Sequence, residues 1–489
     1  MNSRRAFLGQ IGSASLAAAW PGFGQAPAVK RATAGKATDV RIEEVTVGYE
    51  NHRYRVPLKF GGTATDRVTI LNVQCVVSTK DGKRAHGFGS MPMGNVWSWP
   101  SRTLSYDQTL QAMTALVGSI RDITAGHKAY GHPIDLLWAL EAPYLEAAGA
   151  IAKTQALAEP IPKLCTLTAA SPFDAAVHDA FGKLHGVSSY QTYGPEFMSH
   201  DLSHYLGAEF KGEWISQYVA AQPKPRLPLY HLVGALDPIE ASDIEHRLDD
   251  GLPETLPEWI RANGLTNIKI KLNGSDLAWD VARVVRVDRV ATAAQAARGA
   301  TAWVYSLDFN ERCPDVHYLL EFLDQVKRQT PAGFDRIQYV EQPTARDLKA
   351  NRANVMHEAA KLKPVVIDES LTDYENLLLA REMGYSGAAL KACKGQTQAL
   401  LMGAAVQHHK LFLCVQDLTC PGASLVHSAG LAAHVKTVAA IEANARQYVP
   451  AANAKWDKRY PGLFTITDGT VDTSALTGPG LSLPDGPLT

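Results

Sequence analysis

Three carboxylates and a set of lysines, each at the end of an apolar run, are the residues whose types and spacing could do chemistry. The run Ile268-Lys269-Ile270-Lys271-Leu272 carries two lysines two apart. On a strand successive side chains alternate faces, so Lys269 and Lys271 share one face and Ile268, Ile270 and Leu272 the other. Two ammonium groups side by side in a partly desolvated place repel, and each lowers the other's pKa. A lysine tuned that way serves as a base near neutral pH. The plain alternative for this run alone is an edge strand with two solvated lysines. The runs that follow shift the reading. Asp308 and then Asn310 close one, Glu341 the next, Asp368 and Glu369 the one after, and Lys391 a fourth.

Carboxylates on three neighbouring strands cannot all be buried and ionised without a cation. All-oxygen ligation with open positions favours Mg²⁺. A substrate carboxylate on such a metal accepts charge as its α-proton leaves, and the resulting ene-diolate is stabilised. Lysines on both sides let one remove a proton and the other return it, which gives racemisation or epimerisation. Cycloisomerisation, or elimination by a lyase, results if one lysine acts only electrostatically. Two other classes compete: a Schiff-base aldolase with Lys271 or Lys391 as nucleophile, and a non-catalytic exported binding protein.

The elements that must position these groups are legible as apolar runs. From Pro228 on there are eight, at 229–233, 268–272, 303–307, 337–340, 365–367, 388–390, 411–415 and 440–442. Helical stretches such as 280–297 and 316–328 separate them. One βα unit per interval predicts a closed (β/α)₈ barrel, with its chemistry at the C-terminal strand ends. No phosphate-binding glycine motif follows the first run to support an open doubly wound sheet. Upstream, residues 40–215 read as one α+β domain. Its strands come first, with a hairpin at Asp81-Gly82. Helices follow between 106 and 206, and Ser171-Pro172-Phe173-Asp174 is predicted to open one. Residues 57–62 and 91–100 read as loops, the second a Met- and Trp-bearing lid surface.

A net charge of −1 offers no basic field for nucleic acid or an anionic membrane. Six scattered cysteines form no C-x-x-C pair, so no zinc ribbon or thioredoxin-type site is indicated. The start, Ser3-Arg4-Arg5-Ala6-Phe7-Leu8, is a twin-arginine pattern. A short apolar run and Ala26-Pro27-Ala28, an A-x-A cleavage site, follow it. The expectation is export to the periplasm through the route that carries folded proteins, with no membrane span after cleavage. Removing residues 1–28 takes away Arg4 and Arg5 and leaves a net charge of −3.

Lys-x-Lys at 269–271, Asp-x-Asn at 308–310, Glu-Gln-Pro at 341–343, Asp-Glu-Ser at 368–370 and Lys391, in this order, resemble the enolase superfamily. Within its mandelate racemase/muconate lactonizing enzyme group the pattern is closest to the muconate lactonizing enzyme subgroup. The resemblance spans roughly residues 40–450. It implies an α/β fold, a modified TIM-type (β/α)₇β barrel with an N-terminal α+β capping domain. The layout read along the chain is signal peptide 1–28, linker 29–39, cap 40–215, barrel 216–445 and a tail, 446–489, packing on the cap. The resemblance further implies Mg²⁺ held by Asp308, Glu341 and Asp368, with Lys271 and Lys391 as the acid/base pair. Lys269 would support the substrate carboxylate and the pKa of Lys271, and the loops around Phe60 and Trp97 would cap the substrate. Asn310 and Glu369 are expected to hydrogen-bond and orient these groups. Asp417 is left between a neighbour of Lys391 and an N-cap for the next helix. Lys394 is expected to be structural or solvent-facing. The stretch Glu442-Ala443-Asn444-Ala445 stands where dipeptide epimerases of the subgroup carry Asp-x-Asp. The expected partner is a small carboxylate substrate, with no nucleic acid and with homo-oligomerisation left open.

Overall fold

A long antiparallel hairpin is the first element of this computed structural model, which describes residues 35–60 and 62–488. The twin-arginine segment and most of the linker lie outside the described residues. Strand β1 (Val40–Phe60) pairs with β2 (Thr63–Thr79), and β2 with β3 (Arg84–Pro92). Asp81-Gly82 makes the second turn, with Gly82 at φ +87° and its N–H bonded to the Thr79 carbonyl. Lys59 and Phe60, expected in a loop, are ladder residues of β1 paired with Ala64 and Thr63.

Three helices cover this sheet: α1 (Tyr106–Gly126), α2 (Pro133–Thr154) and α3 (Lys163–His185). Ser105 and Gln108 close the start of α1 as a reciprocal capping box. Val73, Val77, Met113, Leu116, Leu140 and Phe173 form the core between sheet and helices. The expected helix start at Pro172 is instead the middle of α3. The Ser171 hydroxyl donates to the Thr168 carbonyl at 2.9 Å. It thereby takes up the acceptor that proline, with no N–H, leaves free. Gly87 and Gly89 of β3 let sheet and helix touch backbone to backbone. A Cβ at either would overlap the carbonyl of Ala176 or Pro172.

The barrel strands are β4 (Arg226–Val233), β5 (Asn267–Lys271), β6 (Val304–Asp308) and β7 (Ile337–Glu341). They continue as β8 (Val365–Ile367), β9 (Gly387–Lys391), β10 (Phe412–Gln416) and β11 (Ile441–Glu442). All pair in parallel, and β11 closes onto β4. Helices follow the first seven; after β11 come short helical turns, Ala445–Tyr448, Pro450–Asn453 and Ala454–Asp457. This is the expected (β/α)₇β arrangement. The tail first adds β12 (Thr470–Asp472) antiparallel to β4. It then reaches α3, where the Leu481 N–H donates to Asp179 Oδ1 at 2.8 Å. The tail thus joins barrel and cap rather than packing on the cap alone. Among the described residues no helix is long and apolar enough to cross a membrane.

Candidate active site

The barrel pleat stacks its inward side chains in layers. Tyr230, Tyr339, Val366, Ala389, Cys414 and Ala440 form an uncharged floor. Two residues further along their strands stand Glu341, Asp368, Lys391, Gln416 and Glu442, which the period of two brings to the same interior face. Strand register sets Lys271 beside Asp308, Asp308 beside Glu341, and Lys391 beside Gln416. The rim is therefore charged, and it is buried: Lys269, Asp308, Glu341 and Asp368 are each 1% exposed or less.

Lys269 lies at the centre. Its Nζ is 2.9 Å from Asp308 Oδ2, 3.0 Å from Glu341 Oε1 and 2.8 Å from Glu442 Oε2, and donates to Gln416 Oε1 at 3.2 Å. Lys271 donates closely to Asp308 Oδ2 and at 2.8 Å to Asn310 Oδ1. On the far side Lys391 Nζ is 3.1 Å from Asp368 Oδ2 and donates to the Asp417 carbonyl at 3.1 Å. Lys394, expected to be structural or solvent-facing, is fully enclosed and pairs with Asp368, at 3.2 Å to Oδ1. Its one-turn helix, Ala392–Lys394, follows β9 directly and turns the ammonium inward. Of the two roles left open for Asp417, it takes that of a neighbour of Lys391, through its carbonyl, and its carboxylate caps no helix start. Its Oδ2 accepts from the N–H groups of Cys420 and Asn444, because the next helix begins later, at Ala423.

Electrostatics follow from these contacts. Burial depresses the Lys269 ammonium, but Asp308, Glu341 and Glu442 outweigh it and hold it well above the ordinary lysine value. For Lys269 this is the reverse of the lowering expected from an adjacent lysine, because Asp308 stands between the two ammonium groups. Burial likewise lowers Lys391, and the Asp368 carboxylate more than restores it. Burial pushes Asp308 up, and Lys269 and Lys271 bring it below the usual carboxylate range. Burial and then Asp308 raise Glu341 well above its ordinary value. Burial, with Asp368 adding to it, pushes Glu369 up to about 7.

The cap closes over this rim. Trp97, in the one-turn helix Asn95–Ser98, places its ring 4.7 Å from Lys391 Nζ and donates its indole N–H to Glu369 Oε1 at 3.0 Å. Asn310 Nδ2 donates to the same oxygen at 3.3 Å. Phe60 is half-buried against the barrel core. The segment read as a lid surface is thus buried: Met91, Met93, Val96, Trp97 and Trp99 are all enclosed. Arg346 grips it from the barrel side, donating to the carbonyls of Trp97 at 3.0 Å and Ser98 at 3.3 Å. Glu311 holds Arg346 in turn, Nε to Oε2 at 2.8 Å. Asn310, Glu311, Gln342 and Thr419, all just past strand ends, have φ between +30° and +59°. Such left-handed conformations are costly without glycine and gather where a site dictates the backbone.

Lys394, Gln416, Glu442, Arg346 and Glu311 are the residues of this site that the sequence reading missed. Gln416 and Glu442 carried a signal, since Glu442 closes a predicted strand and Gln416 directly follows one. Arg346 carried none, because its partners lie far off in the chain.

The donor set suits a hard divalent cation. The buried carboxylates of Asp308, Glu341, Asp368, Glu369, Asp417 and Glu442 outnumber the ammonium groups of Lys269, Lys271, Lys391 and Lys394. Glu369 Oε2 is buried without a hydrogen-bond partner, and Asp368 Oδ2 meets only the Lys391 ammonium of its ion pair. Among the described residues no three His, Cys, Asp or Glu side chains already converge as a metal site. Lys269 stands between Asp308 and Glu341, and Lys391 and Lys394 both face Asp368.

A closed parallel barrel of eight strands, capped by an antiparallel sheet and carrying acids and lysines on its C-terminal rim, is the enolase-superfamily fold. Residues 252–484 match the family model described as Enolase C-terminal domain-like. A search of curated proteins gives no match. Among solved structures, the chain is similar to the substrate-liganded L-Ala-D/L-Glu epimerase from Bacillus subtilis (17% identity, 92% of this chain and 100% of that one, TM-score 0.59). It is also similar to muconate lactonizing enzyme from Pseudomonas fluorescens complexed with muconolactone (16%, 91% and 96%, 0.57). A third is an enolase from Bradyrhizobium complexed with magnesium and mandelic acid (17%, 92% and 97%, 0.59). At these identities the likeness is one of fold, that of the mandelate racemase/muconate lactonizing enzyme group.

Proposed function

We propose that this chain is a Mg²⁺-dependent enzyme that removes a proton α to a carboxylate of a small substrate, with racemisation, epimerisation or cycloisomerisation as the outcome. The observation that carries the reading is the bracketing of three acids by two lysines. Asp308, Glu341 and Asp368 come from consecutive strands, and Lys271 and Lys391 come from the strands on either side. The solved relatives, an epimerase and a lactonizing enzyme among them, support the reaction class.

In this reading Asp308, Glu341 and Asp368 hold the metal. When bound, the cation supplies positive charge for the substrate carboxylate as its α-proton leaves. Lys271 and Lys391 move the proton at Nζ from opposite sides. Asn310 orients Lys271, and the Asp417 carbonyl orients Lys391. Lys269 and Glu442 form a fixed ion pair under the substrate carboxylate. Trp97 and Phe60 exclude water from above, which strengthens every charge interaction beneath them. The reading includes export, supported by the twin-arginine motif. Cell fractionation of the wild type against the double variant Arg4→Lys with Arg5→Lys tests it, with retention of the variant in the cytoplasm expected.

The deciding experiment is solvent exchange. The protein with Mg²⁺ is incubated in D₂O with a panel of hydroxy acids, N-acyl amino acids, acid sugars and cyclic carboxylates, and α-deuteration is followed by NMR. Exchange into at least one class is expected. Failure across the panel overturns the proposal.

A further inference from the structure

A cavity of about 550 Å³ opens outside the barrel bore, between α2, α3 and the barrel segments after β8 and β9. That volume is in the range of small-ligand sites. Of the charged rim only Lys394 lines it, and the Lys394 ammonium is turned away to Asp368.

Its walls combine aromatic rings with acids. Trp138 stands at the mouth, 41% exposed, edge-on to Tyr205 with ring centres 5.6 Å apart. Tyr144 and Tyr374 add further rings. Glu141 and Asp373 share a single cation, Lys163, at 2.7 and 3.1 Å. Asp174 is buried and meets no lysine or arginine among the described residues; it accepts from the Thr397 hydroxyl at 3.0 Å and faces His178 at 3.2 Å. The lining therefore carries surplus negative charge beside ring faces that attract cations. An anion would meet four carboxylates here, those of Glu141, Asp174, Asp373 and Glu375, while the lining ammonium groups of Lys163 and Lys394 are already paired.

We propose that this cavity binds a small organic cation, an ammonium or guanidinium on an aliphatic or aromatic body, at a site separate from the reacting centre. The charged group is held by Glu141, Asp373 and Asp174, and the body lies along Trp138 and Tyr205. The inference does not rest on the proton-abstraction reading.

The test is titration calorimetry of the full chain with three probes of matched length: hexylamine, hexanoate and hexanol. Hexylamine is expected to bind at least about tenfold more tightly than either of the others. Asp373→Asn removes one charge while keeping the cap of the helix Tyr374–Glu382, since asparagine also caps well. Trp138→Ala changes an exposed side chain. Each is expected to weaken hexylamine about fivefold or more, with circular dichroism confirming the fold. Three results overturn the proposal: no hexylamine binding, hexanoate or hexanol binding equally well, or hexylamine binding that neither variant changes.

Discussion

Trp97 and Glu369 meet across the mouth of the barrel, the indole N–H donating to Oε1 at 3.0 Å while Oε2 of the same carboxylate has no partner. Trp97→Phe keeps an aromatic ring and removes the donor. The variant is expected to lose about 1–3 kcal/mol of stability, since a buried acceptor is left poorly satisfied. Urea denaturation measures it. Glu369→Gln in the same background should recover part of the loss, and a silent Trp97→Phe would show the bond to be dispensable.

Among the described residues Arg346 is the one side chain that ties the barrel to the carbonyls of both Trp97 and Ser98. Arg346→Ala should loosen residues 93–99 without disturbing the barrel. The readout is faster amide exchange confined to that stretch, with greater quenching of tryptophan fluorescence by acrylamide. Arg346→Lys should not restore protection, because an ammonium lacks the planar fork that spans Glu311 and two carbonyls.

Lys271→Ala and Lys391→Ala should each lower the fastest α-deuteration by about 10²–10⁴-fold, the usual weight of a positioned acid or base. Where the two lysines serve opposite faces, each variant should retain exchange of one substrate enantiomer. Treatment with EDTA should abolish exchange with both, and added Mg²⁺ should restore it. Exchange that survives EDTA would separate the lysine chemistry from the metal.

Acid should destabilise the fold through its buried histidines. Burial lowers His427 to about 4, and holds His132 and His231 well below the usual value near 6.5. Between pH 6.5 and 4 the unfolded chain therefore binds a proton at position 427 that the folded chain refuses. The His427 contribution is intact above 6.5 and is lost as pH falls towards 4, with a limiting slope of about 1.4 kcal/mol per pH unit. His427→Gln should flatten the decline in stability between pH 7 and 5 relative to the wild type. An unchanged slope would mean that His427 is not neutral in the fold.

The barrel and the acids on its rim were legible because most strands are short apolar runs with a charge at or just past their end. The alternation in 268–272 alone put Lys269 and Lys271 on one face. What could not be read depends on contacts distant in sequence. Glu442 reaches Lys269 only because β11 closes onto β4. Lys394 turns inward only because a single helical turn follows β9. Pro172 sits mid-helix only because a neighbouring serine satisfies the freed carbonyl. The lid reading of 91–100 failed for a related reason: methionine and tryptophan next to Gly and Pro describe a solvent loop and a plug equally well, and Arg346, far along the chain, decides between them.

Helix α3 is enclosed almost throughout its length, with its backbone against the β3 glycines on one side and Asp174 bonded to Thr397 of the barrel on another. Away from the cavity it shares with α2, a side chain added on its sheet-facing side must displace the β3 backbone. Innovation is therefore channelled elsewhere. A descendant of this chain recruited to a different substrate would keep α3 as it is and change through the turn that carries Trp97.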